Sequence, residues 1–589
     1  MPPDPGLRAV VVVPARDEQE RIGDCLRALA EQREVEPGAF EVVLVLDHCA
    51  DDTRARALEA AAEWPSLPLS VLESDRPGAG HARRVGMDFA CERLLAAGRP
   101  DGLIASTDAD SRVAPDWLVT QLVLASEGAR AIGGWIELDP REASALAPAV
   151  LEERGIQAGL RLARVRARAS GAASGHHHFS GASLAVTAQT YLEVGGLPCG
   201  EALEDEAFER ALEDRGIHIL RTSRVHVTTS ARTDGRASRG LARDLALADW
   251  RARRSFRADE FTIAGLLARK TGPISAILPA REVAATIAPI LDALAGLRED
   301  GLLDEILVVD AASQDGTALA AAAHGATVLQ EDELLPDYGP ARGKGDAMWR
   351  ALSVARGETV VFLDADTSDF DASFAVGLLG PLLVHPEIRF VKGAFLRPLQ
   401  VAGSVLPGQG GRVTELVARP LLNLYAPHLA GFDQPLAGEL AARADLLRAL
   451  AFPAGYGVEI ANLIDAARVA GIDALAQVDL GTRQNRHQPL RDLSAMSYAV
   501  MVAAAARLHG AGLPPAPVPG PLALPPLPGE TALELRQVPV LERPPLDSLD
   551  LRPEGARLAL DPGSPAPVDH PPGPRWARKL RGARTSTVR

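Results

Sequence analysis

The sequence predicts an α/β protein: two tandem units, each a mainly parallel sheet covered by helices, followed by a Pro-rich flexible C-terminal tail. Three observations predict this. Short apolar strands alternate with amphipathic helices along most of the chain, a pattern that implies parallel sheets. Five polar signals recur in one order at offsets of roughly 255 to 265 residues, which marks an internal duplication of domain-sized units. The last 79 residues hold 18 of the 45 Pro, a density that opposes long helix or sheet.

The bulk numbers agree. At 589 residues the chain is too long for one core. A net charge of −15 opposes a nucleic-acid partner, which calls for a basic face. Cys25, Cys49, Cys91 and Cys199 form no CxxC pair, so a zinc site or a disulfide framework is not expected and a reduced cytoplasm fits best. The opening "MPPDPGLRAVVVVPARDEQE" has no leader-like apolar core, and no window is apolar enough for a transmembrane segment.

The recurring signals come in pairs. "AVVVVPARDE" and "ISAILPAREV" are strands that reach Pro14 and Pro279. "FEVVLVLDHCADDT" and "DEILVVDAASQDGT" are strands that meet Asp47 or Asp310 before a polar turn. "DRPGAGHARRVGMD" and "YGPARGKGDAMWRA" are Gly-rich turns opening helices. "LIASTDADSR" and "VVFLDADTSDFD" carry Asp-Ala-Asp, and "ALEDEAFERAL" and "GYGVEIANLIDAA" close each series. The units are read as 1–255 and 273–510, with a linker at 256–272 and the tail at 511–589. Ligands of such sheets sit beyond the carboxyl ends of the strands, where Pro14, Asp47 and Asp108 and their counterparts stand. The tail's basic end, "RWARKLRGARTSTVR", is read as a solvated terminus.

Paired carboxylates at a strand end suit Mg²⁺ or Mn²⁺, ions that keep phosphate oxygens as further ligands. Asp108 with Asp110, and Asp364 with Asp366, are therefore candidate metal ligands. Such an ion would act as a Lewis acid on a departing nucleoside diphosphate. "GPARGKGDAMW" offers helix-start amides and the cation Lys344 to a phosphate, without P-loop spacing. The first unit is expected to place His81 there, with Arg83 or Arg84 supplying the charge. "PGQGGRVTELVARPLL" combines Gly411, Arg412 and Thr414 at a helix start, which suits a phosphate or carboxylate. Glu459 lies on an apolar helix face, where a carboxylate needs a partner, and is read as orienting a sugar. Asp205 is its expected counterpart and a candidate general base. The run His176-His177-His178 is read as non-catalytic, since adjacent strand residues point to opposite sides.

Both units resemble family-2-type glycosyltransferases of the GT-A fold, a Rossmann-like architecture, through "VVVPARDE", "VLDHCADDT" and "TDADS" in the first and "ILPARE", "VVDAASQDGT" and "LDADT" in the second. The second resembles, more narrowly, the glucosyl-3-phosphoglycerate synthase family from about 273 to 505. That rests on "GKGDAMWRAL", "VKGAFLRPL", "GGRVTELVARPLL", "QPLAGELAAR", "FPAGYGVEI" and "AQVDLGTRQNRHQPL". The resemblance implies transfer of glucose from a nucleoside diphosphate donor, usually UDP-glucose, to 3-phosphoglycerate with retention. It implies Asp364 and Asp366 on the metal, Lys344 on the donor phosphate, and Gly411, Arg412 and Thr414 on the acceptor phosphate. It also makes Glu459 the sugar-orienting acid and Arg483 a nucleotide-side residue. A homodimer is compatible with it.

The second unit departs from that family in two places. Its opening reads Pro279-Ala280-Arg281-Glu282, so Glu282 is the remaining carboxylate on the donor side. The family's distal His ligand aligns with Asn485, and His487 two residues on is the expected substitute. In the first unit the resemblance implies Asp108 and Asp110 on a metal and Asp205 as the base of an inverting transfer, with the acceptor unread. The alternative is that the first unit only binds a nucleotide-sugar or acts as a scaffold. A nucleotidyltransferase is disfavoured, because neither first strand leads into a Gly-rich loop.

Overall fold

The computed structural model describes residues 2–168, 175–198, 204–235, 240–397, 399–401, 404–406, 411–483, 489–511, 513–514, 519–525 and 534–549. The first sheet is built from β1 (Ala9–Ala15), β2 (Phe40–Leu46), β3 (Leu69–Glu73), β4 (Leu103–Ser106), β5 (Ser111–Val113), β6 (Ala131–Leu138), β7 (Leu184–Thr187) and β8 (Ile219–Thr229). Its order is β3-β2-β1-β4-β7-β6-β8-β5. Alternation divides each central strand between two cores: Val11 and Val13 pack on one face, Val10 and Val12 on the other. That is why β1 reads as an unbroken Val run.

The second sheet begins with β9 (Ser255–Arg257), β10 (Ile274–Ala280), β11 (Glu305–Asp310), β12 (Thr327–Gln330), β13 (Thr359–Phe362) and β14 (Phe390–Leu396). A hairpin of β15 (Leu399–Val401) and β16 (Ser404–Leu406) follows, then β17 (Leu440–Arg443), the short β18 (Phe452–Pro453) and β19 (Leu475–Thr482). The order is β12-β11-β10-β13-β17-β14-β19-β9. From β12 to β19 it repeats the first sheet strand for strand. In each sheet an antiparallel strand, β7 or β17, sits between otherwise parallel neighbours, and in the first sheet the edge strand β5 also runs antiparallel, to β8. The expected mainly parallel sheets are thus found, with these reversed strands set among them.

Two stretches differ from the sequence reading. Part of the expected linker is structured: β9 extends the edge of the second sheet by pairing with β19. Just before it, Trp250 of the helix Leu241–Arg254 stacks at 4.6 Å on Phe432 inside the second core. Apolar aromatic residues hold this stretch down. The described part of the tail also has structure. β20 (Leu522–Leu524) and β21 (Glu534–Arg536) form a hairpin, and β22 (Glu542–Arg543) pairs with β18. These strands fit into the gaps between prolines, where the ladder still has its N–H donors. Among the described residues no helix is long and apolar enough to cross a membrane.

Candidate active site

The loops after β1 and β10 share one hydrogen-bond lattice. Ala50 N donates to Asp17 (2.7 Å) and Gln314 N to Glu282 (2.9 Å). Glu18 N donates to Thr53 Oγ1 (2.7 Å) and Val283 N to Thr317 Oγ1 (2.9 Å). Asp47 N donates to Ala15 O (2.8 Å), whereas the matching bond at Ala280 comes from Ala311 N (2.9 Å). Asp47 therefore corresponds to Ala311, and the pairing of Asp47 with Asp310 is off by one residue. Asp310 ends β11 and accepts from Ser313 N (3.2 Å) and Gln330 Nε2 (3.0 Å). Asp47 accepts instead from Gly78 N (3.0 Å), at the start of the helix Ala79–Ala96. Glu282 and Asp17 are tied into loop backbone. Asp17, Cys49 and Asp51 cluster closely, but both carboxylates accept from loop backbone, Asp17 from Ala50 N and Asp51 from Thr53 N (2.9 Å).

The helix starts impose a second correction. Gly78 and Gly343 both cap at φ near +120° (124° and 120°), a left-handed conformation suited to Gly. The residue after each cap is Ala79 or Lys344, so His81 does not stand in for Lys344.

In the second sheet, Lys344 Nζ lies 2.5 Å from Asp364 Oδ1 and 3.1 Å from Glu459 Oε1. Gly438 lies directly over this bridge, and a Cβ there would collide with Lys344 Nζ and the Asp364 carboxylate. The buried Arg483 contacts Glu439 and Thr367 and stands 3.8 Å from Asp364. Burial raises the Asp364 carboxyl, but Lys344 and then Arg483 outweigh it and hold it at about 2. Burial and the Asp364 charge push Asp366 up. Asp366 nonetheless keeps solvent access at the strand ends, its desolvation coming from the surrounding cleft, and forms no ion pair among the described residues. Pro279, one residue before the end of β10, lies on the same edge.

Two cations that sequence reasoning missed stand nearby, both inside "VKGAFLRPL". Lys392 is wholly buried and donates to the carbonyls of Ala437 (2.9 Å) and Glu459 (3.4 Å). Burial pushes its ammonium down to about 7. Arg397 feels Asp364, Asp366 and Glu459, and Gly411 lies beside it. The signal was their place on and just beyond β14, one basic residue on the strand and one at its carboxyl end. Thr414 is buried in a π-helical turn (Thr414–Ala418), a form common at functional sites. His487 and Asn485 lie outside the described residues.

In the first sheet Arg83 takes the part of Lys344 from farther along its helix. It reaches Asp108 (2.7 Å), Glu204 (3.0 Å), Ser106 Oγ (2.5 Å) and Gly181 O (3.1 Å). Gly181 gives it room as Gly438 does for Lys344. Glu204, not Asp205, is thus the bridged acid. Asp205 accepts from Gly181 N (3.3 Å), and burial, then Glu204, pushes it up to about 6. Asp110 lies 3.0 Å from Arg232, which also holds Glu18. Burial and Asp108 raise Asp110 to about 7. Arg84 is bonded to Asp88 (2.7 Å) and the Leu197 carbonyl. Both arginines expected to meet a donor phosphate are thus engaged within the protein. Arg16, 3.9 Å from Asp47, lies on the cavity wall instead. That cavity, about 1530 Å³, gathers Pro14, Asp47, Asp108, Asp110 and Asp205.

A Glycosyl transferase family 2 model matches residues 10–181 and 275–375. The glucosyl-3-phosphoglycerate synthase of Mycolicibacterium paratuberculosis is 42% identical over 293 residues, 49% of this chain and 88% of that protein. That of Mycobacterium tuberculosis is 45% identical over 258 residues, 43% of this chain and 78% of that protein. Among solved structures, mannosyl-3-phosphoglycerate synthase from Rubrobacter xylanophilus is 48% identical, covering 51% of this chain and 98% of that one, at a TM-score of 0.47. The M. tuberculosis enzyme in complex with Mn²⁺, UDP and phosphoglyceric acid is 41% identical over 49% of this chain and 95% of that one, at a TM-score of 0.44. Site and relatives together define an enzyme, a glycosyltransferase. The chain belongs to glycosyl transferase family 2, and about half of it is homologous to the glucosyl-3-phosphoglycerate synthases.

Proposed function

We propose that residues 273–510 transfer glucose from UDP-glucose to 3-phosphoglycerate with retention, assisted by Mg²⁺ or Mn²⁺. The observation that carries this is Lys344 bridging Asp364 and Glu459, which sets a donor-phosphate cation, a metal acid and a sugar-orienting acid within one cluster. The relatives named glucosyl-3-phosphoglycerate synthase support the choice of acceptor. Asp364 and Asp366 offer oxygen-only ligands one residue apart, which fits a hard divalent cation. When bound, it supplies Lewis acidity to the departing diphosphate. Lys344 directs positive charge at the donor phosphates, and Glu459 accepts from the sugar hydroxyls. Arg483 and Arg397 raise the positive potential around the leaving group. Gly411, Arg412 and Thr414 hold the acceptor phosphate. The free thiols Cys25, Cys49 and Cys91 suit a reducing cytoplasm.

The test is nucleotide release with UDP-glucose, with and without 3-phosphoglycerate and with Mg²⁺ or EDTA. Asp366→Ala should lower acceptor-dependent release by about three orders of magnitude, with circular dichroism unchanged. Arg412→Ala should raise KM for 3-phosphoglycerate. Full activity in the first variant sinks the metal assignment, and an unchanged KM in the second moves the acceptor site.

For residues 1–255 we propose a second, inverting transferase, with Asp108 and Asp110 as metal acids and Asp205 as base. One observation favours the alternative of a non-catalytic module: Arg83 and Arg232 already neutralise Asp108 and Asp110. Sugar transfer or donor hydrolysis by a chain carrying Asp366→Ala decides between them.

A further inference from the structure

We propose that the first-sheet cavity holds an anion, a phosphomonoester or carboxylate, on the Arg154–Arg161 face of the helix Pro148–Arg168. Calling that anion an acceptor rests on the transferase reading of residues 1–255; the binding site itself does not.

The cavity has two unlike sides. Asp47, Asp108, Asp110 and Asp205 line the strand-end side, whereas the helix contributes Arg154, Arg161 and Arg164 with Glu153, and Asp244 lines the wall close enough to act on Arg154. At about 1530 Å³ the cavity exceeds the usual volume of a small-ligand site, about 300–1000 Å³, so it has room for a second ligand beside a nucleotide-sugar. Arg154 and Arg161 are seven residues apart, two turns along one helix face. Burial and then Arg161 disfavour the charge on Arg154, and Asp244 offsets less than these. Neither arginine forms an ion pair among the described residues. An arginine does not shed its proton, so the half-buried Arg154, repelled by Arg161 and only partly offset by Asp244, would be stabilised by an anion in the cavity. A guanidinium also matches the geometry of phosphate or carboxylate.

The histidine run, which the catalytic reading leaves unused, borders the same patch. His177 and His178 line the cavity. Burial, then Arg161, keeps His177 neutral down to about pH 4. Neutral rings can still donate an N–H to an anion. Trp135 meets His176 at 5.6 Å and His178 at 5.3 Å, edge to face, and completes the wall. The topology gives a second line of support. This helix lies in the connection from β6 to β7, and the equivalent connection, β14 to β17, carries Gly411, Arg412 and Thr414.

The test uses the full chain carrying Arg412→Ala, so that the second sheet's phosphate site is silenced. Inorganic phosphate, acetate and 3-phosphoglycerate are titrated by calorimetry, before and after adding Arg154→Gln and Arg161→Gln. The preferred anion should bind at least about tenfold more weakly once both guanidiniums are gone. Adding Arg154→Lys and Arg161→Lys instead should restore part of it. Phosphate against acetate separates a phosphomonoester from a carboxylate. Binding of none of the three, or binding indifferent to both Gln substitutions in a folded chain, overturns the proposal. Anion binding that depends on these arginines without any sugar transfer leaves the site standing and removes the transferase reading. Transfer to a neutral sugar with the same KM after both substitutions does the reverse.

Discussion

Two clusters at equivalent strand ends solve one problem with different residues. In the second, an ammonium one residue past the helix cap bridges Asp364 and Glu459; in the first, a guanidinium from the next turn bridges Asp108 and Glu204. Arg83 also bonds Ser106 and Gly181, and its side chain is 3% exposed against 22% for Lys344. Lysine is a mobile point charge that can exchange a carboxylate for a phosphate, whereas a fork held at four places is part of the scaffold. The difference teaches that matching clusters need not have matching duties: on the function proposed above, the more exposed lysine is the one free to turn to a ligand, while the buried arginine holds its acids in place.

Removing each cation separates the two duties and gives the largest expected effect. Arg83→Met leaves the buried Glu204 unpaired, and should cost about 3–5 kcal/mol in urea unfolding. Lys344→Met should cost much less stability while suppressing acceptor-dependent UDP release by about a hundredfold or more. Equal stability losses with equal activity losses would erase the distinction.

A second contrast lies in what braces the helix starts. Asp346, two residues after Lys344, is fully buried. It is held by Arg350 (3.0 Å) and by Arg543 (2.6 Å) from the C-terminal strand β22. Arg543 also stacks 5.6 Å over Trp349, whose Nε1 donates to Pro544 O at 2.8 Å. The C-terminal segment thus clamps the helix that carries Lys344. Arg543→Ala should lower stability by about 3 kcal/mol and weaken acceptor-dependent release by the second unit, with donor turnover by the first unit unchanged. A loss spread over both units, read by two-transition thermal unfolding, would contradict a local clamp.

Much of this was legible in the sequence, and the failures share a cause. The Asp-Ala-Asp pairs, the Gly-capped helices and the strand-helix alternation are short-range patterns, and the structure keeps them. Asp47 was matched to Asp310 by residue type, but register is set by the backbone lattice around Asp17 and Glu282, which no residue type records. Arg83 is expected at a donor phosphate, but side-chain length across a helix turn carries it instead into the bridge between Asp108 and Glu204. Lys392 stands inside a motif legible in the sequence, but only three-dimensional packing shows its ammonium buried against two carbonyls. In the tail, proline content concealed Arg543, whose importance comes from a partner 197 residues away.

The smallest expected effect is a pH dependence confined to the first unit. Asp205 is raised to about 6, first by burial and then by the Glu204 charge, with Arg83 opposing both. A general base works as the carboxylate. Lowering the pH through about 6 protonates it, so donor turnover by the Asp366→Ala chain should fall roughly tenfold more per pH unit below that point and level off only above about 7, where Asp110 also has lost its proton. Replacing Asp205 with Asn should remove that limb together with most of the rate. A pH limb that survives in Asp205→Asn would assign the proton to another group and return Asp205 to a loop-holding role through its bond from Gly181.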